Sequence, residues 1–116
     1  MFIAYVVVTL IAIAANAVEG VATLAGAKFV RDNLGEIGLP PALLPFLGAC
    51  KTAGALGLIG GLVAWRHLGV AAAIGLTVFY LLAVLVHLRT RVVHNIAFPI
   101  GFLALAAATL ALAALH

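Results

Sequence analysis

The chain has 116 residues, of which 67% are hydrophobic and only 8% charged, and its mean hydropathy is +1.36. Soluble domains carry about a quarter charged residues, so this composition excludes an ordinary soluble fold and marks an integral membrane protein. The formal net charge of +3 is small and scattered and gives no footprint for nucleic acid. The single cysteine, Cys50, excludes an intrachain disulfide and any paired-cysteine redox motif. Crossing ~30 Å of hydrocarbon takes about 20 apolar residues per helix, which fills this length with spanning segments and leaves no room for a soluble domain.

The predicted elements follow in chain order. The first helix runs from Phe2 to about Val30, and it reads as a retained span and not a cleaved leader, because no basic segment precedes it. The β-branched run Val6, Val7, Val8 and Thr9 would favour strand in water, but an isolated strand in lipid strands its backbone groups, so helix prevails. Asn16, Glu19 and Thr23 fall three and four residues apart and share one face of that helix. Arg31 to Leu39 reads as a polar loop, with turn residues Asn33, Gly35 and Gly38. Pro40 and Pro41 then open a second helix to Trp65, since a missing N–H is harmless in a first turn.

Gly54, Gly57 and Gly61 form a stripe on that second helix where a neighbour can approach closely. Arg66, His67 and Gly69 read as a turn into a third helix, Val70 to Leu88. Arg89, Thr90 and Arg91 lead into a fourth, Val92 to Leu115, with a kink expected at Pro99. The expected fold is all-α: a four-helix transmembrane bundle, up-down-up-down with short loops, in a single domain. A bundle this small keeps much lipid-facing surface, which points to homo-oligomers. Lys28, Arg31, Arg89 and Arg91 fall on one side and Arg66 on the other. The excess of positive charge on cytoplasmic loops therefore puts both termini outside, in a bacterial inner or plasma membrane.

The polar residues inside the spans carry the functional expectations. Glu19 lies roughly 16 Å from the basic end and Lys51 about 15 Å, counting ~1.5 Å per residue from Val30 and Pro41. Opposite charges at matched depth in lipid are far cheaper paired than alone, so a Glu19–Lys51 contact is expected, direct or through Asn16 or a water. The pair is either structural, fixing helix register, or a proton-handling or ligand-anchoring device. Tyr80 and His87 share a face of the third helix. His87 is read as an interfacial histidine at the helix end, or as an acid/base group at a cavity mouth. His94 and Asn95 are placed beside it and, with Asn16, Thr23 and Tyr80, are the expected ligand-binding residues. A His87/His94 metal or haem site would need further ligands, and none is assigned. Cys50 is read as an inert buried thiol, and Tyr5, Phe79, Phe98 and Phe102 as lipid-facing or packing groups. Together Asn16, Glu19, Thr23, Lys51, Tyr80 and His87 outline a polar interior suited to an amphiphile with an apolar tail.

The order Gly26-Ala-Lys28, Ile37-Gly-Leu-Pro40, the glycine-rich run Gly48 to Leu58 with Lys51 inside it, and Val86-His-Leu-Arg89 resembles the DoxX-like family of small four-helix membrane proteins. The resemblance covers nearly the whole chain. It implies glutamate in many members at the position of Lys51, so the charge is reversed here and Glu19 stands as its compensation. It further implies a link to a thiosulfate:quinone oxidoreductase subunit and to membrane oxidant defence, with distant relatives acting as assembly factors. The expected function is a redox-associated subunit binding a quinone-like or other lipophilic molecule, with a redox partner supplying electrons. The alternatives are an isomerase-type membrane enzyme using Glu19, Lys51 and His87, and a non-catalytic assembly module. Quinone-reducing dithiol chemistry needs a cysteine pair, which Cys50 alone does not supply.

Overall fold

The computed structural model describes residues 2–91, 94 and 96–115. Asn95, expected to bind ligand, and Val92, expected to start the last helix, lie outside the described residues. Those that are described form five α-helices and no strand: α1 (Phe2–Leu24), α2 (Lys28–Glu36), α3 (Leu44–Val63), α4 (Arg66–Arg89) and α5 (Ala97–Leu115), with a 3-10 turn at Pro41–Leu43 before α3. Four of them (α1, α3, α4 and α5) are long and apolar enough to cross a membrane. Helices satisfy their own backbone hydrogen bonds, which lipid cannot do for them.

These helices wear their apolar residues outward and several polar ones inward. Ile3, Val18, Val63 and Phe98 are exposed, whereas Thr9, Asn16, Thr23, His87 and Thr109 are buried. That inversion suits a lipid surround, where leucine gains nothing by hiding and hydroxyl or amide groups need protein partners. Among the long helices, α3 packs against α1 and α4, and α5 against α4 and α1, which closes a ring of four. Ala12, Leu58, Ala73, Leu76, Tyr80 and Ala106 form its core.

The packing is tight because glycines line the contacts. The Gly54, Gly57, Gly61 stripe faces α4, where added methyls would run into Leu76, Ala72 and the backbone of Gly69. Gly69, expected in a turn, is a helical residue of α4 pressed against Gly61. The turn itself shrinks to Ala64 and Trp65, because Arg66 and His67 already belong to the helix.

The first connection is the largest correction. α1 ends at Leu24, six residues before Val30, because Gly26 takes the left-handed φ of +70°. The Gly26 N–H then reaches Thr23 O and the Ala27 N–H reaches Ala22 O, both at 3.0 Å, capping the open carbonyls. Gly38, at φ +77°, repeats this device at the end of α2, with Leu39 N–H on Leu34 O at 3.0 Å. Between the two glycines the expected loop is a nine-residue helix. It is held by the buried side chains of Val30, Leu34 and Ile37 against Leu44, Leu47 and Val86. Burying each of those three stabilises by about 1.5–3 kcal/mol relative to water, enough to dock a helix too short to persist alone.

Gly26→Ala is expected to lower stability by about 1–2 kcal/mol, the penalty for a Cβ in the left-handed region. Nothing lies within 4 Å of the added methyl, so the loss is purely conformational. Gly35→Ala, also in open space but inside α2, serves as the control. Unfolding midpoints in mild detergent check this, and equal midpoints for the two variants would refute it.

The last helix begins at Ala97, which puts Pro99 in its first turn and not one or two turns in. The N–H that proline lacks would have had no intrahelical partner there, so the expected cause of a kink is gone.

Candidate functional site: an ion pair in the wall of a cavity

At the end of the ring that carries α2 lies a partly open cavity of about 510 Å3, to which all five helices contribute. Its wall is mostly aliphatic and aromatic. The polar groups on it are Glu19 and Thr23 of α1, Asn33 of α2, Lys51 of α3, and Tyr80 and His87 of α4. It is a size and lining typical of small-molecule sites.

Glu19 and Lys51 meet because α1 and α3 nearly touch. A Cβ on Gly20 would sit 3.0 Å from Thr52 N and 3.3 Å from Gly48 O, and one on Gly48 would sit 3.0 Å from Leu24 N. Neighbouring side chains then face each other across a short gap. Lys51 Nζ lies 3.2 Å from Glu19 Oε1, with side-chain exposures of 12% and 26%. The ammonium also donates to Thr23 Oγ1 at 3.4 Å and stands 5.9 Å from the centre of the Phe79 ring. Thr23 directs its own proton to Glu19 O at 2.7 Å, which leaves its lone pairs toward the lysine. A carboxylate, a hydroxyl and an aromatic face together replace the water that a lysine needs.

The expected pairing is thus formed directly, without Asn16. The helix ends are nearer than the count implied: Glu19 is five residues from the end of α1 and Lys51 seven from the start of α3, about 8 and 10 Å.

Asn16 is completely buried and is not on the cavity wall. Its Nδ2 donates to Ala12 O at 2.8 Å, and its Oδ1 accepts from Tyr80 Oη at 2.6 Å. The Tyr80 hydroxyl is therefore turned away into the core, while the ring is flanked by Phe79 and Phe102, each 5.1 Å away between centroids. Asn16 supports the wall from behind and does not touch the void.

His87 lies in the last turn of α4, at the helix end as expected, and its side chain is buried. Its Nδ1 lies 2.7 Å from Ala83 O, which can only accept, so Nδ1 carries a proton. Its Nε2 lies 3.2 Å from the Asn33 side-chain amide. That nitrogen accepts from the amide when the ring is neutral and donates to Oδ1 when it is cationic. This contact ties α2 to α4 across the cavity.

His94 departs from expectation. It is off the cavity wall and pairs with Glu36 at 3.0 Å on the exposed surface, with side chains 67% and 42% exposed. The end of α2 holds it there, which removes the basis for a two-histidine metal or haem site. Tyr5 is buried and not lipid-facing; Phe79 and Phe102 line the cavity, and Phe98 does so while remaining largely exposed. Cys50 is half-buried and lies off the wall.

Among the wall residues that sequence reasoning missed are Val30, Asn33 and Leu34 on α2 and Ile37 at its C-terminal cap. Their spacing at three, four and seven positions was the available signal, masked by the neighbouring charges and glycines.

Apolar helices that direct their polar groups inward define an integral membrane protein. The chain belongs to the DoxX-like family, whose model matches residues 7–109. Comparison with curated proteins and with solved structures gives no significant match.

Proposed function

We propose that this protein holds one lipophilic small molecule in the cavity, with its apolar body among the aromatic and aliphatic side chains and its polar end at Glu19 and Lys51. The observation that carries this reading is a void of ligand size whose apolar wall is broken by one ion pair, largely buried yet reachable from the void. A quinone-like molecule passing electrons to or from a redox partner is one occupant of this kind, in keeping with the family resemblance. Both ring nitrogens of His87 are already engaged, which favours holding over acid/base turnover. The reading is completed by an up-down-up-down bundle of the four spans. In it, the end bearing Lys28, Arg31, Arg89 and Arg91 faces the cytoplasm and both termini face outside.

Gentle extraction followed by mass spectrometry tests the reading. The protein is expected to carry an apolar molecule near one-to-one, and Ala83→Trp, which fills the cavity from its α4 wall, is expected to lose it. A wild-type protein that binds nothing from a lipid extract would overturn the proposal.

A further inference from the structure

We infer that the Glu19–Lys51 pair makes this cavity selective for an electrically neutral amphiphile with a hydroxyl head, and turns away a carboxylate or ammonium on a chain of the same length. The inference rests on the ligand-holding reading above and specifies its substrate class.

Carboxylate and ammonium groups face the void from two of the five helices. α1 offers Glu19 and α3 offers Lys51, whereas the wall contributions of α2, α4 and α5 contain no carboxylate, lysine or arginine. The charged residues of α2 (Lys28, Arg31, Asp32 and Glu36) are exposed and off the wall. The wall as a whole is therefore balanced, one negative against one positive at 3.2 Å, with the His87 ring already bonded on both sides.

A carboxylate entering this void would give up its water for a cation that another carboxylate already neutralises, and would be repelled by Glu19. An ammonium meets the mirror-image problem at Lys51. A hydroxyl suffers neither penalty. Lys51 has three N–H donors, of which two are directed to Glu19 Oε1 and Thr23 Oγ1. Glu19 Oε2 has no partner among the described residues, so its lone pairs are available. A hydroxyl head can donate to Glu19 Oε2 and accept from the remaining Lys51 N–H, satisfying both groups at one point. Tyr80 cannot serve as a competing anchor, because its hydroxyl is spent on Asn16.

The test uses the full chain, freed of co-purified lipid and held in detergent, titrated with dodecanol, dodecanoate and dodecylamine by native mass spectrometry at a pH where acid and amine are ionised. Wild-type protein is expected to bind dodecanol about tenfold more tightly than either ion, or better. Glu19→Gln leaves Lys51 unbalanced and is expected to shift the preference to dodecanoate. Lys51→Met leaves Glu19 unbalanced and is expected to shift it to dodecylamine; either variant suffices if the other does not fold. If dodecanoate or dodecylamine binds the wild type as well as dodecanol, or if both variants keep the wild-type ranking, charge selectivity is wrong while ligand holding stands. If none of the three binds the wild type, the ligand-holding reading falls with it.

Discussion

Glu19→Gln is expected to destabilise the folded protein by about 3 kcal/mol, the lower part of the range for breaking a buried ion pair by removing one partner. The lower part applies because both side chains reach the cavity and neither is fully enclosed. The loss arises less from a missing attraction than from the charge left behind. Lys51 keeps a hydroxyl at 3.4 Å and a ring at 5.9 Å, and neither neutralises an ammonium in hydrocarbon. Lys51→Met should cost a similar amount by stranding Glu19. The double variant, Glu19→Gln with Lys51→Met, should recover much of the loss, because neither charge then needs a partner. Unfolding of all four proteins in mixed micelles gives the coupling energy directly. Additive losses, with no recovery in the double variant, would mean that the two side chains do not stabilise one another.

That pairing was legible in the residues themselves, and the reason is instructive. Val30 and Pro41, the expected helix ends, both lie beyond the observed ones, Leu24 of α1 and Leu44 of α3. Both offsets have the same sign, so the match between the two residues survives while their distances from the helix ends shrink. Gly26 was visible as a glycine, but nothing local distinguishes a left-handed cap from a glycine tolerated in a span. Charge and glycine content hid α2 in the same way, although Val30, Leu34 and Ile37 already had helical spacing. The cavity was not legible at all. A void depends on how five helices fail to fill a volume, and no window of sequence encodes that. Asn16 and Tyr80 were expected to line one polar interior, but they bond to each other, Asn16 lies off the wall, and only the tyrosine ring reaches it.

Gly61→Val is expected to be the most damaging change at a site remote from the cavity, at about 3 kcal/mol or more, by overpacking a contact that cannot yield. A Cβ at Gly61 would collide with Gly69 Cα and lie 2.8 Å from Gly69 N, which are backbone atoms with no rotamer to escape into. α3 and α4 would have to separate, and the separation would propagate along the stripe, loosening Gly57 against Ala72 and Gly54 against Leu76. Lys51 and Tyr80 stand on these same two helices, so the wall of the cavity depends on that spacing although Gly61 never touches it. Gly61→Ala should show the same effect at about 1–3 kcal/mol. Gly75→Ala and Gly101→Ala, where an added methyl meets nothing within 4 Å, should be neutral or slightly stabilising. Thermal midpoints and the amount of bound ligand, measured on the four variants together, distinguish a packing defect from a general intolerance of alanine in the spans. A Gly61→Ala protein as stable as Gly75→Ala would show that the α3–α4 contact can open without loss. The glycine stripe would then not be what positions Lys51 near the Phe79 ring.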